Sequence, residues 1–216
     1  MTTDKPERYK TIQQAGDKEI VIKKSRFIGH SKPVATEEEA LEFIESIKKQ
    51  HWNATHNCSA YLIGSRGEIQ RQSDDGEPSG TAGKPILEVI KNQGLQDIAI
   101  VVTRYFGGIM LGAGGLIRAY TDGAVAAIEA GEAITRVLHQ EVKVELDYTW
   151  LGKVENELRS RGIRMGETAF TDKVILNCLP VASEAQAFRE WMTDLTQGQS
   201  LITTGEQLYF TEEQEK

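Results

Sequence analysis

The chain has 216 residues, 39% hydrophobic and 26% charged, which gives enough aliphatic material for a packed core and excludes disordered and collagenous classes. Its 25 lysines and arginines against 32 aspartates and glutamates leave a net charge of −7, which argues against a broad nucleic-acid-coating surface. No apolar run exceeds five residues and the first ten residues are polar, so neither a membrane span nor an export segment is expected; with Cys58 and Cys178 far apart and in no CxxC pattern, the expected compartment is the reducing cytoplasm.

Residues 8–34 read as short strand-like runs ending in Phe27-Ile28-Gly29-His30 before Pro33. Thr36 with Glu39 is a capping box, and Ala40, Leu41, Phe43, Ile44 and Ile47 form the core-facing stripe of the helix it starts. Residues 58–63 and 69–72 form a hairpin around Gly64-Ser65-Arg66-Gly67. The stretch 74–84 is too rich in glycine, proline and aspartate for regular structure, until Pro85 suits the first turn of a helix reaching about Asn92. Residues 96–103 are a run of strand length suited to a central buried strand, and Arg104 stands at its end. The glycine-rich stretch 107–115 then precedes a helix with Leu116, Ala119, Tyr120, Gly123, Ala127 and Ile128 on a small-residue packing face and Gly131 as its C-terminal cap.

A charge shift marks a second domain: residues 1–137 carry 17 basic and 18 acidic groups, residues 138–216 carry 8 and 14. In the latter, strand-like 142–148 is followed by a helix stripe of Leu151, Val154 and Leu158 that Gly162 ends. Strands at 163–170 and 174–179 come next, then a capping box at Ser183 and Gln186 opening a helix with Phe188, Trp191, Met192 and Leu195, and a last strand near 201–210. The order βαββαβ is the ferredoxin-like layout.

Chemistry concentrates where glycines cluster, eleven of the 20 falling between Gly76 and Gly131. Gly107, Gly108, Gly112, Gly114 and Gly115 expose amides at a helix N-terminus, and with Arg104 and Arg118 flanking them and Lys84 and Arg26 nearby they form a candidate anion or nucleic-acid site. The plainer alternative is that the glycines permit tight helix-on-sheet packing while Arg118 pairs with Asp122. In the loop Asp74, Asp75, Glu77, Ser79 and Thr81, three carboxylates offer oxygen for a cation or a proton transfer. Alternatively the aspartates and serine of this loop cap its turns and the following helix, and Asp75 or Glu77 pairs with Arg104. No EF-hand spacing, Walker lysine or dinucleotide fingerprint is present, and neither a metal nor a cofactor is expected. His51, His56 and Cys58 lie close in sequence, though a cysteine in an apolar alternation is ordinarily inert core. Lys23-Lys24-Ser25-Arg26-Phe27 has the character of a phosphate-backbone surface or of a solvated strand end.

The motifs DDGEPSGTAGKP at 74–85 and VVTRYFGGIMLGAGGLIRAY at 101–120, with KKSRFIGH at 23–30 and THNCSAYLIG at 55–64, resemble the signature of the IMPACT family, its bacterial YigZ-type branch in particular. The resemblance spans nearly the whole chain. It implies an α+β protein of two domains, an amino-terminal α/β sandwich similar to domain two of ribosomal protein S-five and a carboxy-terminal ferredoxin-like domain similar to one in elongation factor G. It also implies RNA or a ribosome-associated protein as partner and, in eukaryotic members, control of translation initiation; those members carry a preceding RWD-type module, whereas residue 8 here already lies in strand-like sequence.

The leading expectation is a non-enzymatic regulator of translation or RNA metabolism. The rivals are a phosphate-handling hydrolase or transferase, with Asp74, Asp75 or Glu77 as metal ligand or base opposite Arg104, and a protein-interaction module built on the acidic second domain.

Overall fold

The computed structural model describes residues 6–212, which divide into two compact units, 9–135 and 136–212 together with 6–8. The first contains most of β1 (Arg8–Ile12), then β2 (Gly16–Ile22), β3 (Ser25–Pro33), α1 (Glu37–Gln50), β4 (His56–Ile63), β5 (Ile69–Ser73), α2 (Gly83–Asn92), β6 (Ile98–Tyr105) and α3 (Ala113–Gly131). Its sheet runs β2-β3-β6-β4-β5 with every neighbouring pair antiparallel.

β6 is the central strand. Ile98, Ile100 and Val102 face a core shared with α2 and α3, while Ala99 and Val101 face the one shared with α1. Helices cover both faces, so the strand reads as an unbroken apolar run instead of an alternation. The α1 start forms as expected, Thr36 Oγ1 accepting the Glu39 N–H at 3.2 Å, while Glu39 Oε2 reaches one residue further back, to the Ala35 N–H at 2.8 Å.

α3 lies unusually close to the sheet. A Cβ on Gly29 would stand 2.1 Å from the Gly123 carbonyl oxygen, and one on Gly123 would stand 2.8 Å from Val102 Cγ1. Gly123 thus packs as its place on the small-residue face of the helix predicts, and Gly29 on β3 is the residue it meets. Gly131 is not the expected cap: it is the last helical residue, pressed against Ile12 and Ser31, and Glu132 takes the left-handed position at φ 59°.

The second unit comprises β7 (Ala133–Leu146, from residue 136), α4 (Tyr148–Ser160), β8 (Arg164–Phe170), β9 (Val174–Leu179), α5 (Ala185–Leu195) and β10 (Leu201–Thr211). The strand order β10-β7-β9-β8, antiparallel throughout, is that of the ferredoxin-like layout. Val142, Val144, Leu146, Val174, Leu176 and Cys178 form its core with Val154 and Leu158 of α4 and Phe188 and Met192 of α5. Residues 6–8 fall with this unit because the Glu7 carbonyl accepts the Leu138 N–H at 2.8 Å and the Pro6 carbonyl accepts the Tyr209 hydroxyl at 2.6 Å. The capping box at Ser183 does not form: the chain enters α5 through a 3₁₀ turn, Ala182–Glu184, with no side-chain cap. Among the described residues no helix is long and apolar enough to cross a membrane.

Candidate functional site

The loop 74–84 lies against the start of β4 and the end of β6, and its three carboxylates diverge. Asp74 Oδ1 accepts the N–H groups of Ala82 (3.1 Å) and Gly83 (2.8 Å), and Oδ2 accepts that of Gly80 (2.9 Å). It thus caps α2, whose adjoining residue Ala82 has no side chain to do so. Burial works to raise the Asp74 carboxyl, but the three amide bonds outweigh it and hold it below its ordinary range. Asp75 has a left-handed backbone (φ 43°), accepts the Asn57 N–H at 2.7 Å and pairs with Lys48 at 3.2 Å. Glu77 turns inward: Oε1 accepts from Arg104 Nη1 at 2.6 Å and from the Tyr120 hydroxyl at 2.7 Å, and Oε2 lies 3.8 Å from His56 Nε2. Thr81 Oγ1 donates to the Pro78 carbonyl at 2.6 Å, and Ser79 is exposed. Among the described residues no group of three or more histidines, cysteines, aspartates or glutamates is placed to hold a metal ion.

The arginines part company. Arg104, expected to flank an anion groove, is only 6% exposed, against 8% for Glu77, with its guanidinium 5.6 Å from the Phe27 ring centre and 5.4 Å from that of Phe106. Arg26 makes a two-pronged pair with Glu19 (3.0 and 2.8 Å) and lies over the Tyr105 ring. Arg118 is exposed and donates to the Gly114 carbonyl at 3.2 Å instead of pairing with Asp122. Lys84 is exposed on the first turn of α2. Two of the four candidate cations are therefore committed to carboxylates and two face solvent.

Between Arg104 and Arg118 the chain is open. Gly107 packs so tightly on the β2–β3 turn that a Cβ would sit 2.0 Å from the Lys24 carbonyl carbon, and its N–H donates to Ser25 Oγ at 3.1 Å. Gly112 sits at φ 71° before α3, whose start has no side-chain cap; Gly115 and Leu116 donate to its carbonyl at 3.1 and 2.9 Å. Gly108 and Gly114 border open space, whereas Gly115 lies against Leu111. Around them Phe106 is 48% and Met110 85% exposed, with Ile109, Ile117, Lys23 and Lys24 also at the surface. The sequence reading missed Phe106 and Met110, although strand alternation carried past Arg104 puts Phe106 on the Arg104 face.

Cys58 and His56 do not form a nucleophilic pair. Cys58 Sγ donates to the Asp74 carbonyl at 3.0 Å and burial pushes its thiol up to about 12, while His56 Nδ1 bonds the Asp75 carbonyl oxygen at 2.8 Å. His51 meets His30 instead, rings 5.0 Å apart, beside a cavity of about 350 Å³ that Asp17, Glu19 and Gln50 also line. Burial lowers both imidazoles, His30 to about 4 with a further push from His51.

Residues 23–128 match the Impact N-terminal domain family, and residues 144–199 match the family described as Domain of unknown function (DUF1949). The chain is 54% identical over 201 residues to the IMPACT family member YvyE of Bacillus subtilis (strain 168), covering 93% of each. It is 34% identical over 179 residues to the IMPACT family member YigZ of Escherichia coli (strain K12), covering 82% of this chain and 88% of that one. A crystal structure of a hypothetical protein matches with a TM-score of 0.60 at 30% identity, over 93% of this chain and 98% of its own. With a relative more than half identical along nearly the full length of both proteins, and each of its two units matched by a family in turn, this chain belongs to the IMPACT family.

Proposed function

We propose that this protein is a cytoplasmic, non-enzymatic regulator of translation or RNA metabolism that binds RNA at the end of the first sheet where the β2–β3 turn, the loop 106–112 and the start of α3 meet. The observation that carries this reading is the composition of that surface. Lys23, Lys24 and Arg118 are exposed, with no acidic partner among the described residues, beside the open Phe106 and Met110 and the uncapped start of α3. Cations and helix amides suit phosphate, and an open aromatic ring suits a base. The net charge of −7 confines such binding to a local patch.

The hydrolase or transferase reading loses its motivation in this loop. Asp74 bonds three amides, Asp75 meets Asn57 and Lys48, and Glu77 meets Arg104 and Tyr120, so each of the three carboxylates is engaged within the fold. For the interaction-module reading, the feature that favours a protein partner is the polar sheet face of the second unit, with Glu141, Lys143 and Glu145 of β7 alternating with its buried valines.

The test is ultraviolet crosslinking of the purified protein to cellular RNA at about 0.15 M salt, where exposed charges are screened beyond about 8 Å, with crosslinked peptides mapped by mass spectrometry. Crosslinks are expected within 21–27 and 104–120, weakened by Arg118→Ala. Crosslinks confined to the second unit, or none above background, would overturn the proposal.

A further inference from the structure

The β2–β3 connection has two residues. Ile22 pairs with Ser25, leaving Lys23 and Lys24 at φ 45° and 65°. Positive φ at both positions marks the type I′ turn, which strand twist favours and which Asn-Gly fills with least strain. Lysine has no short polar group to support a left-handed backbone, so two in succession hold strain that an ordinary turn sequence would relieve. Both are exposed and, among the described residues, form no ion pair.

The turn is also fixed in place. The β3–β6 register ends with Arg26 opposite Tyr105; carried on, it sets Phe106 opposite Ser25 and Gly107 opposite Lys24, where the close approach of Gly107 is found. The strained lysines therefore stand next to Phe106, a half-open ring braced from within the fold by the Arg104 guanidinium.

We infer that Lys23, Lys24 and Phe106 form a binding surface for single-stranded RNA, the two ammonium groups on phosphates and the Phe106 ring against a base. This rests on the RNA-binding reading above and specifies its ligand. A ring presented at the surface stacks on a base already free of its neighbours, which a strand supplies and a duplex does not. Charge at the turn tip supplies the reason for lysine where Asn-Gly would be the more stable choice.

The experiment measures fluorescence anisotropy of a short labelled RNA of mixed sequence, single-stranded and as a duplex, across a salt series, with thermal melting of each variant. K23N/K24G is expected to melt no lower than the parent and to reduce the slope of log K against log salt by about 1.4, about 0.7 for each phosphate that is no longer neutralised. Phe106→Leu is expected to weaken single-strand binding about tenfold, one base stack, with the slope unchanged. K23R/K24R should keep the parental slope. Parental affinity and slope in K23N/K24G, a melting temperature below the parent's, or a duplex bound as tightly as the single strand would each overturn the inference while leaving RNA binding intact. A folded parent that binds neither RNA removes the broader reading as well.

Discussion

Replacing Glu77 by alanine tests whether Arg104 is a surface ligand or an internal fixture. The substitution deletes the oxygen 2.6 Å from Arg104 Nη1 and 2.7 Å from the Tyr120 hydroxyl, and leaves a guanidinium that is 6% exposed between two aromatic rings. Stripping one partner from a buried ion pair costs about 3–5 kcal/mol, because the survivor keeps its desolvation cost without its counter-charge. At about 3 °C per kcal/mol for a chain of this size, the melting temperature should fall by about 10–15 °C. Urea denaturation followed by far-UV circular dichroism gives the number, and hydrogen exchange of α3 amides assigns the loss to the first unit. The double variant Glu77→Ala/Arg104→Met should recover about 2 kcal/mol relative to the sum of the single changes, since no charge is then stranded. A cost below about 1 kcal/mol for Glu77→Ala would mean that water reaches the guanidinium, and the case for an internal fixture would collapse.

Three further expectations follow from the same geometry. His30 is held at about 4 in the folded protein against an ordinary 6.5, so the unfolded chain takes up the proton first as pH falls. Stability should therefore be full above pH 6.5 and drop by about 2 kcal/mol between pH 7 and 5, a slope that urea midpoints should show to be shallower in His30→Asn. Asp74→Ala frees two amides at the start of α2 and the Gly80 amide in the loop before it, and should cost about 2 kcal/mol by the same assay, with Asp74→Asn between it and the parent. Both thiols are buried and raised to about 12, so native protein at pH 8 should be silent to a disulfide-exchange reagent until it is unfolded; stoichiometric reaction of native Cys58 would show that its site is not the closed one described.

Patterns that depend on near neighbours were legible in the sequence. The α1 stripe, the hairpin, the central strand and the βαββαβ order all emerge from periods of two and 3.6 residues, and the IMPACT motifs marked the glycine loop, although Leu41, expected on the core face of α1, is 50% exposed while Ala40, Phe43, Ile44 and Ile47 are buried. Interactions across space were not. Asp74 caps a helix that begins nine residues later, a separation outside any capping box. The pairing of Glu77 with Arg104 of β6 was one of two alternatives the loop offered, but its second partner, Tyr120 of α3, was read only as a packing residue. Ser183 has the right spacing to Gln186, but a cap needs an extended backbone and the 3₁₀ turn denies it one. His51 looked like a neighbour of Cys58 because the two are close along the chain; the return of α1 over β3 brings it to His30.

The central strand poses a problem of alignment that its apolar residues do not solve. Because both faces of β6 are covered, Ile98 to Val102 would stay buried whether the strand sat in its observed phase or one residue over, and an in-or-out pattern cannot choose between them. The polar residues at its end make the choice. Arg104 points to Glu77 on one face and Thr103 donates to Asn57 on the other at 2.7 Å; a slip by one would turn the guanidinium toward the side lined by Phe43, Ile44 and Ile47, with its carboxylate left behind. The ion pair thus works as an address more than as an adhesive, selecting a single alignment for a strand that grease alone would let slide.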